Sequence, residues 1–253
     1  MTALSSLPEN PDRPKDPAFD RKAESYETHA FVQKDAASWL AEWLPATTCH
    51  ARCLELGAGT GLFSRHLKDR FTKVEISDLA GEMIDLCKQR MPDFDYSQRD
   101  AWNAQADSGT WDFVVSSSLL QWSRNPVDCL QHWKALLKPG GRILSGFFVD
   151  PTLPEMTAIL DGKNPIDWRS PGQWERYAKK AGLDVQRLES QTHRYHYESA
   201  LHFWKSLHGT GATVSQRMTP SQMMRLLRDY EAKYRNESGV YATWTFCRME
   251  LSL

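Results

Sequence analysis

The stretch Glu55-Leu56-Gly57-Ala58-Gly59-Thr60-Gly61 decides the fold of this 253-residue chain. It directly follows a short apolar run, 51–56 (ARCLEL), which is typical of a buried strand, and it precedes a segment, 61–70, whose pattern predicts a helix. Glycines permit a tight turn and let a ligand approach the backbone, because they carry no Cβ atom. The start of a helix adds unpaired N–H groups and the positive end of its dipole. The stretch therefore predicts a ligand-binding turn.

An acidic residue completes this pattern. Asp78 lies 21 residues beyond Gly57, at the end of the next predicted strand, 73–77 (KVEIS). An acid near this distance is placed to accept hydrogen bonds from ribose hydroxyls. A dinucleotide fingerprint reads G-x-G-x-x-G, whereas this turn reads G-x-G-x-G with Glu55 beside it. Because an acid repels a pyrophosphate and can hold an ammonium, the pattern favours a ligand with a nucleoside end and an amino acid end.

Strands and helices alternate on both sides of the turn. Such units predict an α/β fold with a doubly wound, mostly parallel sheet and helices on both faces. Further strands are predicted at 94–98, 111–117, 142–149, 184–197 and 240–251. Helices are predicted within 19–44 and at 80–90, 125–138, 151–161, 171–181, 199–207 and 220–235. We expect residues 1–17 to be a flexible arm and 18–253 a single domain, with a core at 46–150 and acceptor or lid segments at 18–45 and 151–235.

Composition excludes several classes of protein. The chain has 41% hydrophobic residues, 25% charged residues and a net charge of −1, so it lacks the basic footprint of a general nucleic-acid binder. No window approaches the roughly 18 consecutive apolar residues of a membrane-spanning helix, and the N-terminus lacks the apolar core of a secretory signal. The five cysteines form no CxxC pair. We therefore expect a cytoplasmic protein with reduced thiols, no metal site, and no nucleic-acid or membrane partner.

Over residues 50–150 the sequence resembles the class I S-adenosylmethionine-dependent methyltransferases. The resemblance implies a seven-stranded Rossmann-like sheet whose last strand, 240–251, is antiparallel, with S-adenosylmethionine as cofactor. It also implies roles for the residues around the turn. Glu55, Gly57, Ala58 and Gly59 would line the methionine end, Asp78 would hold the ribose, Asp100 and Ala101 would meet the adenine amino group, Leu79 and Met83 would flank the adenine, and Ser116 and Ser117 would form the floor of the methyl-donor site. For Leu79 and Met83, simple core packing is the alternative.

The flanking segments resemble one branch of that group, the malonyl-acyl-carrier-protein O-methyltransferases of biotin synthesis. The resemblance is carried by 19–33 (FDRKAESYETHAFVQ), 119–122 (LLQW), 153–155 (LPE) and 206–213 (SLHGTGAT). It implies methyl transfer to the free carboxylate of a malonyl thioester on acyl carrier protein, or of malonyl-CoA. The Gln-Trp pair also occurs in trans-aconitate methyltransferases, so a small-molecule carboxylate is the alternative acceptor. Two features depart from the family pattern: His208 stands where a lysine is usual, and 214–217 (VSQR) replaces a His-rich stretch.

A carboxylate acceptor is ionised at neutral pH, so its methylation needs a positioning clamp rather than a general base. The candidates for substrate positioning are Tyr26 and His29, one helical turn apart, Arg169 in a connecting loop, and His208 beside Gly209. Each candidate also has a purely structural interpretation. Tyr26 and His29 are also typical of a half-buried helix face, and Arg169 is also typical of a solvated surface arginine. His208 is also typical of a histidine that interacts with the dipole at a helix C-terminus.

Acyl carrier proteins are acidic, so a docking face should be basic. Between 216 and 235 five cations (Arg217, Arg225, Arg228, Lys233 and Arg235) outnumber two acids (Asp229 and Glu231), although a solvated helix face would look the same. Amino-methylating enzymes carry a (D/N)PP(Y/F) tetrapeptide after the fourth strand, where this chain has Ser116-Ser117-Ser118-Leu119. A non-catalytic nucleoside-binding module is a further alternative, against which the turn and Asp78 argue.

Overall fold

In a computed structural model of the chain, the described residues are 29–46, 48–104, 109–160, 167–210 and 218–253. The predicted arm at 1–17 lies outside them, so it and the single-domain division stay predictions. The strands are β1 Cys49–Leu56, β2 Phe71–Asp78, β3 Asp95–Gln98, β4 Trp111–Ser117, β5 Leu137–Phe148, β6 Asp184–Tyr197, β7 Arg235–Asn236 and β8 Gly239–Ser252. The helices are α1 Phe31–Ala41, α2 Gly81–Arg90, α3 Pro126–Leu136, α4 Pro154–Ile159, α5 Pro171–Lys180, α6 Ala200–Gly209 and α7 Pro220–Tyr234.

The strands form one sheet in the order β3-β2-β1-β4-β5-β8-β6, with the two-residue β7 paired to β8. β1 runs parallel to β2 and β4, β2 to β3, and β4 to β5, whereas β8 lies antiparallel between β5 and β6. This confirms the predicted fold, with β7 as an addition. Because the strand order reverses between β1 and β4, their carboxyl ends open a crevice, which is where ligands bind in such sheets.

The predicted helix at 61–70 was wrong. The chain there forms successive turns around a single 3₁₀ segment, Ser64–His66. The N–H groups of His66 and Leu67 bond to carbonyls only three residues back, each at 2.9 Å. Gly61 and Asp69 take left-handed backbone angles, with φ of +82° and +62°, which interrupt an α-helix at both ends. The N–H groups near the ligand turn therefore come from the turn itself and not from a regular helix.

Apolar side chains pack on both faces of the sheet and beneath the helices that follow β5. One face is covered by α3 and α5, whose Trp133 and Trp174 are fully buried. The other face packs against Leu40 of α1. A third cluster joins β8 to α4, α6 and α7 around Phe203 and Tyr230. In the part of the chain that the structure describes, no helix is long and apolar enough to cross a membrane.

Arg248 of β8 fixes α1 to the sheet. Its guanidinium lies between the rings of Trp39 and Trp43, 4.1 and 4.4 Å from their centroids. It also donates hydrogen bonds to the Trp39 carbonyl (2.6 Å), to Glu42 (2.9 Å) and to Glu189 of β6 (2.8 Å). These contacts hold the C-terminal end of α1, while His29, two residues before its start, lies against α6.

Candidate active site

The glycine turn follows β1 in a conformation that only glycines adopt easily. Gly57, Gly59 and Gly61 have φ of +68°, +56° and +82°. A Cβ atom on Gly57 would lie 2.7 Å from Cδ2 of Leu119, so this position also excludes a side chain by packing. A Cβ atom on Gly59 would meet nothing within 4 Å. The turn is thus closed on the side of Leu119 and has open space above Gly59.

Asp78, at the end of β2, holds the turn in place. The N–H of Gly59 donates to its Oδ2 (2.8 Å), and the N–H of Ala80 donates to its Oδ1 (2.9 Å). The neighbouring N–H of Ala58 donates to the carbonyl of Ser77 (3.0 Å). A carboxylate oxygen accepts more than one hydrogen bond, so the Asp78 carboxylate can hold the turn and also suit ribose hydroxyls. The sequence predicted Asp78 as a site residue. It did not predict the hydrogen bond between Asp78 and the turn, because no local sequence pattern indicates such a bond.

Glu55 is buried beneath the turn with an exposed fraction of 1%. Burial raises the pKa of its carboxyl to about 8; the Ser64 hydroxyl opposes that rise in pKa and the Asp78 carboxylate adds to it. Among the described residues, Oε2 of Glu55 and the hydroxyl oxygen of Thr60 are buried without a hydrogen-bond partner. Sequence reasoning missed the hydroxyls of Thr60 and Ser64.

The ends of β2 and β3 bring the predicted adenine-side residues together. The N–H of Arg99 donates to the carbonyl of Asp78 (3.0 Å), which sets Asp100 and Ala101 beside the turn. Asp100 accepts a bond from the N–H of Trp102 (2.9 Å). Of the other residues predicted at the adenine side, Ala101 and Met83 are buried. The carbonyl of Leu79 accepts a hydrogen bond from the side-chain amide of Gln98 (2.7 Å).

The two serines predicted to form the site floor have different environments. The Ser116 hydroxyl is buried, 2.7 Å from the hydroxyl of Ser145 on β5, so it serves the packing of two strands. Ser117, the last residue of β4, is half-buried. Beyond it Ser118 has φ of +57°, and this bend sets Leu119 against Gly57. The contact of Leu119 with the turn was not predicted.

On the proposed acceptor side, the structure brings His29 and Gly209 into contact. A Cβ atom on Gly209 would overlap the imidazole ring of His29, and the Ser206 hydroxyl donates to the His29 carbonyl (3.0 Å). The ring of His208 packs against Trp204, with 5.3 Å between centroids. Tyr26 lies outside the described residues. The His29 and Gly209 contact explains why a glycine stands at the end of α6.

Arg169 is not the solvated surface residue that the alternative interpretation required. Only 12% of its side chain is exposed, and the guanidinium lies 3.7 Å from the exposed carboxylate of Asp167 and 5.8 Å from the ring of Trp174. Its carbonyl accepts a bond from the N–H of Asp150 (3.1 Å), two residues beyond the end of β5. A largely buried cation thus lies at the same edge of the sheet as the glycine turn.

Comparison with known proteins decides the family. Residues 28–233 match the family model described as a methyltransferase domain. The chain belongs to this methyltransferase family. It is 27% identical to a malonyl-[acyl-carrier protein] O-methyltransferase of Paenibacillus sp. (strain JDR-2), over 89% of this chain and 93% of the relative. It is 32% identical to the biotin biosynthesis bifunctional protein BioHC of Cellvibrio japonicus, over 90% of this chain and 47% of the relative.

A solved structure shows the same fold with the cofactor bound. The Haemonchus contortus phosphoethanolamine N-methyltransferase 2 in complex with S-adenosyl-L-methionine matches with a TM-score of 0.57 at 20% identity, over 91% of this methyltransferase and 56% of that chain. The predictions of the family, the fold, the enzyme class and S-adenosylmethionine as cofactor are thus confirmed. The alternative of a non-catalytic module is set aside.

The residues of the turn fit this cofactor. Among the described residues, Oε2 of Glu55 has no hydrogen-bond partner and suits an ammonium group, and a Cβ atom on Gly59 would meet nothing within 4 Å, which leaves room for a ligand. The Asp78 carboxylate suits ribose hydroxyls. When bound, S-adenosylmethionine supplies an activated methyl group on a sulfonium. The protein's own task is then to hold an acceptor in line and exclude water.

Proposed function

We propose that this methyltransferase esterifies the free carboxylate of a malonyl thioester on acyl carrier protein, an early step of biotin synthesis in the cytoplasm. The observation that carries the proposal is the largely buried guanidinium of Arg169 at the ligand-binding edge of the sheet. An arginine fork binds a carboxylate through two charge-assisted hydrogen bonds. The Paenibacillus relative is a malonyl-[acyl-carrier protein] O-methyltransferase, which supports the same acceptor. The Cellvibrio relative is a biotin biosynthesis protein, which supports the same pathway.

The proposed reaction needs few groups from the protein. A carboxylate oxygen attacks the methyl carbon, the carbon–sulfur bond breaks, and its electron pair stays on sulfur. Since the acceptor is already ionised, no base takes a proton. Arg169 would orient the carboxylate, and His29 and His208 would line the acceptor side near the end of α6. The donor would lie on the turn, with Glu55, Gly57, Ala58 and Gly59 at its methionine end and Asp78, Leu79, Met83, Asp100 and Ala101 at its nucleoside end.

Helix α7 supports docking of an acidic partner. Arg225 and Arg228 expose 79% and 75% of their side chains and share one acid, Asp229, at 3.5 and 3.3 Å. This leaves a positive excess on the exposed face, to which Lys233 adds. Met224 is 71% exposed beside them and offers an apolar contact. Of the predicted basic set, Arg217 lies outside the described residues, and Arg235 is paired with Glu231.

A direct assay tests the proposal. Malonyl-carrier protein, malonyl-CoA and trans-aconitate are each offered with S-adenosylmethionine, and products are followed by the mass gain of one methyl group. We expect the carrier protein to be methylated with the highest kcat/KM and malonyl-CoA more slowly. Methylation of aconitate alone would instead establish a small-molecule carboxylate methyltransferase, and would overturn the proposal.

A further inference from the structure

Glu55 has a property that the transfer chemistry does not use. We infer that this methyltransferase holds Glu55 protonated before the donor binds, and that an ammonium-bearing ligand expels the proton to solvent. Donor binding would then be coupled to proton release and would strengthen as the pH rises toward the slightly alkaline range. The inference rests on the proposed donor site but not on the identity of the acceptor.

The surroundings of the carboxyl disfavour a charge. In the sheet, Glu55 is paired with Ile76 of β2 and with Val115 of β4, both fully buried. Its Oε2 is without a partner among the residues that the structure describes. An ionised carboxylate with an oxygen buried without a partner is strongly disfavoured, and such groups take up a proton instead.

The charged groups around Glu55 do not offset the cost of ionising its buried carboxyl. From β2 the Asp78 carboxylate faces it with the same sign of charge, and from β3 comes Tyr96, whose pKa is raised to about 12 by burial, so that its hydroxyl is uncharged. Two arginines lie at the turn, where Arg65 and Arg90 donate to the carbonyls of Gly61 and Thr60, each at 3.4 Å. Neither is among the groups that shift the Glu55 pKa.

The pKa of Glu55 sets the pH range in which donor binding would release a proton. Burial, opposed by the Ser64 hydroxyl and helped by Asp78, raises the pKa of Glu55 to about 8. At pH 7 the protonated form therefore exceeds the ionised form by about ten to one. An opposite charge within about 4–6 Å lowers a carboxyl pKa by about 1–3 units. A ligand ammonium in that range would leave Glu55 ionised, with the O–H bond broken and the proton transferred to buffer.

Calorimetry counts the released protons. S-adenosylmethionine is titrated into the wild-type protein at pH 7 in phosphate and in Tris, whose protonation enthalpies differ. We expect release of about half to one proton for S-adenosylmethionine and for S-adenosylhomocysteine, and none for 5′-methylthioadenosine, which lacks the ammonium. Equal heats in the two buffers for S-adenosylmethionine, or equal proton release for 5′-methylthioadenosine, would overturn the inference. Absence of any binding heat would instead refute the donor site on which it rests.

Glu55→Gln is the matched variant, because an amide resembles the protonated carboxyl in shape. It should release no proton, and its affinity for S-adenosylmethionine should stay constant between pH 6 and 7, where the wild-type affinity rises by about twofold to tenfold. A second measurement needs no ligand. Because the folded state binds the extra proton, the wild-type melting temperature should fall between pH 5 and 8, and Glu55→Gln should lack that fall. A wild-type melting curve parallel to that of Glu55→Gln over this range would contradict the inference.

Discussion

The open space above the glycine turn can be tested with a pair of matched substitutions, Gly59→Ala and Gly140→Ala. Both glycines have left-handed backbone angles, with φ of +56° and +80°, and a Cβ atom on either would meet nothing within 4 Å. Each substitution should therefore lower stability by the backbone strain alone, about 1–2 kcal/mol. For a protein of this size that is a fall in melting temperature of about 2–4 °C per kcal/mol.

The two variants should differ in donor binding. The methyl group added at Gly59 enters the space proposed for the donor, whereas Gly140 lies near the start of β5, at the end of the strand opposite to the crevice. We expect Gly59→Ala to weaken S-adenosylmethionine binding at least tenfold, about 1.4 kcal/mol or more, and Gly140→Ala to leave it unchanged. Isothermal titration calorimetry at one pH measures both. If Gly59→Ala melts lower yet binds the donor as tightly as the wild type, the space above the turn is not the donor site.

Three further substitutions test the anchoring of α1, the acceptor clamp and the docking face. Arg248→Met removes two cation–π contacts and the bonds to Glu42 and Glu189, and should lower the free energy of unfolding by about 2–4 kcal/mol in urea denaturation, with little loss of donor affinity. Arg169→Ala should weaken competition by malonyl-CoA about tenfold or more and leave that by acetyl-CoA unchanged, because only the former has a free carboxylate. The double variant Arg225→Glu, Arg228→Glu should raise KM for malonyl-carrier protein several-fold, and this rise should be smaller at high salt. KM for malonyl-CoA should not change.

Each of these results can fail in a specific way. A stable Arg248→Met variant would mean that the stack between the two tryptophans adds nothing to the attachment of α1. Equal weakening of malonyl-CoA and acetyl-CoA by Arg169→Ala would indicate a structural role for the guanidinium. An equal loss for both malonyl substrates after the double charge reversal would place carrier docking elsewhere on the surface.

The sheet was predictable because its signals are local. The alternation along 184–197 and 240–251 gave β6 and β8 to within a residue at each end, and turn-forming residues separated the strands. The segment 61–70 failed for an equally local reason. Leu62, Phe63 and Leu67 have helical spacing, but the left-handed angles of Gly61 and Asp69 end the helix before it forms. A glycine signals such an angle only weakly, and an aspartate signals it less.

The site was predictable only in part, because many of its contacts join distant residues. Glu55, Gly59 and Asp78 lie within one strand–turn–strand unit, and a spacing rule finds them. The contact of His29 with the end of α6 joins residues 180 positions apart, and the burial of Arg169 depends on Trp174 and on β5. No periodicity in the sequence reports such contacts, so sequence reasoning left Arg169 open between a clamp and a surface residue.

The difference between local and distant contacts matters for how the protein would select its methyl acceptor. One departure from the family pattern, His208, lies on the side built from distant contacts, whereas the donor turn follows the pattern closely. The other departure, 214–217, lies outside the described residues. If the acceptor is the carboxylate proposed above, no base is needed, and the acceptor would be selected by binding alone. Under the proposed function, the largely buried Arg169 would supply the main attraction for the substrate carboxylate.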